Sequence, residues 1–184
     1  TKLINNPKSL VIGDVRYPAK IFSLWSKSEL EAIGIYEVIT DSSNKKDEQW
    51  YINTNESYAF ADNQVTRSWG TATAKSHADV TQTIDGVEYT TPGLKTKLIK
   101  DLKITVANEL AKTDWYITRN TEKSTAIPSD ISTHRDAVRT KQAEMETAIT
   151  NASDTPALET LYTFTKQEDG SVTRPLGELP TLES

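Results

Sequence analysis

Lys112-Thr113-Asp114-Trp115-Tyr116-Ile117-Thr118-Arg119 lies between two amphipathic helical patterns within residues 94–152. In the second pattern Ile131, Val138, Gln142, Met145, Ile149 and Ala152 recur at alternating steps of three and four, so one narrow stripe is the expected buried face. In the first, Leu94, Leu98, Leu102, Val106 and Leu110, with Ile99 beside them, make a matching stripe on a helix ending near Lys112. Thr113 or Asp114 caps a further helical turn through residues 115–122, residues 124–128 form the turn, and Ser129 is the expected N-cap of the helix that follows. So short a turn favours antiparallel neighbours, and the two stripes are expected to bury each other within one chain. Trp115 sits at the hinge, where its indole is expected to plug the end of the hairpin while Asp114 caps backbone amides. Asp154-Thr155-Pro156 then opens a short helix carrying Leu158, Leu161 and Tyr162.

Upstream, the period is two. Lys20-Ile21-Phe22-Ser23-Leu24-Trp25 leads into Ser26-Lys27-Ser28-Glu29, a capping box that starts a brief helix, and Gly34 falls where a left-handed cap would end it. Ile35-Tyr36-Glu37-Val38-Ile39 reads as a strand, and the polar residues 41–49 read as a loop. Trp50-Tyr51-Ile52, Ser57-Tyr58-Ala59-Phe60 and Val65-Thr66-Arg67-Ser68-Trp69 have the spacing of an antiparallel meander. Val65, Arg67 and Trp69 share one face, as do Tyr58 and Phe60. Residues 80–84 and 87–90 meet across Asp85-Gly86, a strong signal for a two-residue hairpin turn.

The last segment, residues 163–184, mixes Gly, Pro and charge with scattered Leu176, Leu179 and Leu182, and is expected to be an extended attachment arm ordered only against a neighbour. The expected fold class is therefore α+β, with N-terminal antiparallel strands and one short helix, then an antiparallel helical hairpin, then the arm. The corresponding divisions are residues 1–93, 94–162 and 163–184.

A chain of 184 residues with 36% hydrophobic and 26% charged residues has the makings of one core or two small ones. The net charge of −5 gives no general attraction to nucleic acid or anionic lipid, and the Lys95, Lys97, Lys100 and Lys103 run reads as a solvated helix face. No partner of either kind, nucleic acid or membrane, is expected. No cysteine is present, which excludes disulfides and thiolate chemistry. The opening residues have no apolar targeting core and no run is long enough to span a bilayer, so a soluble protein is expected, and Thr1 is consistent with a trimmed initiator Met.

Catalysis has little to build on. His77 and His134 lie on unrelated elements without metal spacing, and both read as exposed polar residues. Asp41-Ser42-Ser43-Asn44 lacks the Gly and terminal Glu of a calcium loop, and there is no nucleophile elbow, phosphate loop or dinucleotide fingerprint. No catalytic residue, metal ligand or cofactor is expected. Trp25, Trp50, Trp69 and Trp115 with seven tyrosines admit a glycan or nucleobase platform, yet their placement on alternating strands and at helix ends favours core and interface anchors. Trp25, Trp69, Trp115, Leu176, Leu179 and Leu182 are the interaction candidates.

Several stretches carry a family resemblance when taken together. They are Tyr17-Pro18-Ala19-Lys20-Ile21-Phe22-Ser23-Leu24-Trp25-Ser26, Glu29-Leu30, Gly34-Ile35-Tyr36, Tyr58-Ala59-Phe60-Ala61-Asp62-Asn63 and the Thr113-Asp114-Trp115-Tyr116 hinge, followed by Ala126-Ile127-Pro128 and Arg135-Asp136-Ala137-Val138-Arg139. From about Val15 to Tyr162 the chain resembles small tail-associated proteins of bacteriophages, of the tail fibre and tail fibre assembly kind found in marine phages. The resemblance implies a structural component at the baseplate or fibre attachment or, alternatively, a fibre assembly chaperone absent from the mature virion. It also implies other tail or fibre proteins as partners, a homo-oligomer or symmetric assembly, and a location in the virion, or in the host cytoplasm during assembly.

Overall fold

The computed structural model describes residues 2–182, so Thr1 and the last two residues of the expected arm lie outside the described residues. The chain runs β1 (Leu10–Ile12), β2 (Val15–Tyr17), α1 (Ile21–Leu24), α2 (Lys27–Ala32), β3 (Val38–Thr40), β4 (Tyr51–Ile52), β5 (Ser57–Ala61), β6 (Gln64–Ser68), β7 (Thr73–Ala74), β8 (Val80–Ile84) and β9 (Val87–Thr91). It continues through α3 (Leu94–Ala111), α4 (Asp114–Lys123), α5 (Ser129–Asn151), α6 (Thr155–Tyr162), β10 (Thr165–Lys166) and β11 (Val172–Thr173). The class is mixed α+β with antiparallel strands in the N-terminal part. Two compact units divide it: the chain up to Glu48 with Asn53–Thr73, and Gln49–Ile52 with the chain from Ala74 onward. The expected boundary at the change of period, residues 93 and 94, differs from this division, because β8 and β9 group with the helices.

In the first unit, Ser26 and Glu29 form the capping box at the start of α2, with the Ser26 amide donating to Glu29 Oε2 at 2.7 Å. At its end Gly34 has φ +83°, and the Gly34 and Ile35 amides return to the carbonyls of Glu31 and Leu30 at 2.9 and 3.0 Å, satisfying groups the helix leaves open. The sheet is ordered β3-β6-β5, with β5 antiparallel to β6 and β3 parallel to it. The expected three-strand meander is thus corrected: β4 is not in this sheet, and the neighbour on the other side of β6 is β3. Ile21, Val65 and Trp69 are the buried apolar residues of this unit.

In the second unit α3 and α5 pack with opposite senses. Lys95 Nζ donates to the Thr150 carbonyl at 2.7 Å, Lys103 faces Glu146 at 3.9 Å, and Glu109 faces His134 at 3.3 Å. The shared core takes Leu94, Leu102 and Val106 from α3, and Ile131, Val138, Met145 and Ile149 from α5. Gln142 of the expected stripe is only half-buried, and its amide donates to Glu146 at 2.7 Å. The helix start differs in detail from expectation: Pro128 occupies the N-cap of α5 and no side chain caps it, so Ser129 is the first helical residue. Asp154 does cap α6, accepting the Ala157 amide at 2.8 Å.

Trp50 and Tyr51 belong to this unit. Trp50 packs against Tyr162 with ring centroids 5.4 Å apart, and the Tyr51 hydroxyl donates to Glu159 at 2.8 Å, which raises its pKa. The expected arm is corrected as well. Its backbone forms a small β10–β11 ladder and then folds back, with Leu176 buried, its amide donating to the Leu161 carbonyl at 3.0 Å, and the Arg174 guanidinium stacked over Tyr162 and Phe164. Leu176 is therefore core of its own unit and not free for a neighbour, while Leu179 is half-buried and Leu182 exposed. One isolated leucine, buried and bonded through its amide to the Leu161 carbonyl, ties down a segment that has no periodicity of its own.

Candidate functional site

The α3–α4 junction is closed by polar side chains. Thr113 and Arg135 are buried there, and Arg135 Nη1 donates to the Leu110 carbonyl at 2.8 Å and to Thr113 Oγ1 at 2.6 Å, and is ion-paired with Asp114 Oδ1 at 2.9 Å. The cation joins the Thr113 amide and hydroxyl on the Leu110 carbonyl and meets the negative end of the α3 dipole. Trp115 is not the plug: it is 50% exposed, lying against Tyr116 at 3.8 Å and under the Arg119 guanidinium at 4.7 Å. In α4 the inward phase is set by Thr113 and Tyr116, so the intervening indole points outward. Trp115→Ala is expected to cost about 1 kcal/mol or less in urea denaturation, the scale of one exposed aromatic and cation–π contact. A loss near the ~3 kcal/mol of a truncated core aromatic would restore the plug.

His134 corrects the expectation of a surface histidine. It is buried, with Nε2 3.3 Å from Glu109 Oε1, although the two atoms are not aligned as a hydrogen bond. Lys112 also pairs with Glu109 and, chiefly through that hydrogen bond, lowers the Glu109 pKa; charge attraction from Lys112 and then His134 adds to it. That stabilisation is present above the unfolded-state value of a glutamate and is lost as pH falls through the depressed folded value. The signal for both buried polar residues was in the sequence, since positions 134 and 135 stand three and four residues after Ile131, on the stripe that continues to Val138. His77 is half-buried, not exposed, with its carbonyl accepting the Lys95 amide at 3.0 Å. A general acid or base must reach the proton it moves. The His134 and Glu109 side chains, 7% and 11% exposed, are held away from solvent by their own unit.

The first unit offers an open groove of about 970 Å³. Val65 and Val38 lie at the sheet, Leu30 and Ile35 come from α2 and its exit, and Tyr36, Tyr58 and Phe60 supply aromatic walls. Tyr36 and Phe60 rings meet at 4.5 Å, and Tyr58 is held by its hydroxyl donating to Glu56 at 2.6 Å, while Arg67 donates to the other Glu56 oxygen at 2.9 Å. These bonds lower the Glu56 pKa, Arg67 contributing most, and raise that of Tyr58. Strand β5 is at the edge of its sheet and all its residues are exposed. Lys27 stands at the rim, loosely paired to Glu31 and Glu37 at 3.9 and 3.8 Å.

No protein-family model, curated protein or solved structure matches this chain. The other tryptophan candidates part company in the structure. Trp25 is half-exposed and meets Tyr17 edge-on at 5.8 Å. Trp69 is buried beneath Arg67 and Lys45, at 4.6 and 5.3 Å, so its faces are already taken. Trp25 and Trp69 belong to the first unit and Trp115 to the second, and the groove of the first unit is built from residues outside the candidate set. Period two made Tyr58 and Phe60 visible as a face; nothing local showed that Tyr36 would join them. Among the described residues no group of three or more His, Cys, Asp or Glu is placed to hold a metal ion, and no helix is long and apolar enough to cross a membrane.

Proposed function

We propose that the chain is a non-enzymatic structural component of a bacteriophage tail, acting at the baseplate or at tail fibre attachment. The observation that carries this reading is the groove of the first unit. Four of the stretches that bear the family resemblance contribute to it, through Phe22, Leu30, Gly34-Ile35-Tyr36, and Tyr58 with Phe60, the last two on the edge strand β5. Aromatic walls beside a free strand edge suit capture of an extended segment of another protein, with main-chain bonds for affinity and pockets for alternate side chains. The partners are then other tail or fibre proteins, in a homo-oligomeric or symmetric assembly within the virion, met first in the host cytoplasm. Neither nucleic acid nor a membrane is a partner in this reading.

The same edge strand also favours a second reading, a tail fibre assembly chaperone that holds a partner's unpaired strand and then leaves. Mass spectrometry of purified virions of the phage that encodes the chain separates them. A structural role expects the protein in washed particles at a fixed ratio to the other tail proteins. Its absence from particles, with tails that fail to assemble without it, selects the chaperone. Absence combined with normal tails in a deletion phage rejects both.

A further inference from the structure

The groove of the first unit is not bare. Four consecutive residues of the same unit, Lys2, Leu3, Ile4 and Asn5, are among those that line it, so this segment runs along the groove and does not merely touch it at one point. Residues 2–5 belong to no helix or strand, and the chain bends at Asn5 and Asn6 before β1 begins at Leu10. Among the described residues no hydrogen bond or ion pair holds residues 2–5, and Leu3 and Ile4 remain 47% and 38% exposed. The hold is therefore apolar and partial. Aliphatic side chains only half covered gain a fraction of what a core residue gains, and no directional bond resists their departure. The other walls are fixed by comparison: Val65 is buried in the sheet, the Tyr36 and Phe60 rings meet at 4.5 Å, and Tyr58 is tied to Glu56.

We propose that residues 2–5 are a displaceable internal ligand of the groove, seated where the partner's segment binds and matched to it in kind. The partner's segment is then an extended stretch with two adjacent branched aliphatic residues between a basic and an amide side chain, as Leu3 and Ile4 stand between Lys2 and Asn5. Glu37 lies at the groove with only a loose pairing to Lys27 at 3.8 Å, so a carboxylate is at hand for the basic flank. Tethering makes so weak a ligand effective. Residues 6–9 form a short connector without helix or strand, and a short flexible tether holds its segment at an effective concentration in the millimolar range. A segment whose free peptide binds with a Kd of about 1 mM then closes the groove much of the time, and a partner's apparent affinity falls with the fraction left open. Only a segment that outbinds the strap enters, which keeps the apolar groove from capturing unrelated chains before assembly. The inference rests on the reading of the groove as a segment-binding site and is tested with the chain's own peptide, independently of virion incorporation.

The probe is the synthetic peptide Lys2-Leu3-Ile4-Asn5-Asn6-Pro7-Lys8-Ser9, titrated into isotope-labelled protein and followed by amide NMR shifts. It is added to the full chain, to the chain carrying Leu3→Asp and Ile4→Asp together, and to a chain beginning at Asn6. Neither change touches a helix or strand, and both are expected to leave the melting temperature unaltered while moving the Tyr36, Val38 and Phe60 amide signals. The peptide is expected to bind both opened chains at those same amides with a Kd of about 1 mM or tighter, and the full chain at least about threefold more weakly. A peptide carrying the same two aspartates is expected not to bind. Equal affinity for the full and opened chains overturns the strap and leaves the groove a segment-binding site. Absence of binding to the opened chains, or binding away from the groove, overturns both. A melting temperature lowered by more than about 4 °C in both variants also overturns the proposal, because the segment would then be a fixed part of the fold.

Discussion

Val138→Asp is expected to lower the stability of the protein by about 3–5 kcal/mol, the cost of an uncompensated buried charge. Val138 is 0% exposed, on the face of α5 that packs against α3. A carboxylate there would lose its water and meet apolar side chains, and if it took up a proton instead it would still leave polar atoms without partners. Chemical denaturation followed by helical circular dichroism measures the loss. A variant that melts like the parent and fails only in assembly would mean that this stripe faces another chain in solution.

Gly93→Ala is expected to cost about 3 kcal/mol, the upper end of the range for forcing extra volume into a packed site. A Cβ at position 93 would lie 2.3 Å from the Ala78 carbonyl oxygen and 2.8 Å from that of His77. The obstacle is backbone, which cannot rotate out of the way as a side chain would. The approach has a structural purpose: no side chain caps the start of α3, and the connector supplies its acceptors instead. The Leu94 and Lys95 amides donate to the Ser76 and His77 carbonyls at 3.0 Å each, while the Gly93 amide donates to Asp79. Pushing the two backbones apart would open these bonds together. Thermal denaturation reads the outcome, and a loss under about 1 kcal/mol would show that the connector yields and that this contact does not hold α3 in place.

Where chemistry is local, the chain declared its structure. The Ser26 and Glu29 box, the left-handed Gly34, the Asp85-Gly86 turn, the Asp154 cap and the helical stripes all depend on residues within a turn or two of one another. The groove was half legible: period two put Tyr58 and Phe60 on one face, but Tyr36 reaches them only because β3 lies parallel to β6. The outward turn of Trp115 followed from helix phase, which the break after Ala111 reset, and aromatic character alone could not reveal it.

Local pattern thus determined by itself the helices, the caps of α2 and α6, the Asp85-Gly86 turn and the α+β class, because hydrogen bonding and side-chain period are properties of neighbouring residues. Tertiary structure alone decided which strands pair, that Trp50 and Tyr51 pack with residues near Tyr162, and that Leu176 returns to Leu161. It also decided that Arg135 meets Leu110 and Thr113 and that His134 faces Glu109, whereas the stripe from Ile131 to Val138 marked only that the two point inward. Each of these depends on a partner supplied by residues far along the chain. A leucine or an arginine carries no record in its own neighbourhood of which distant surface will remove it from water.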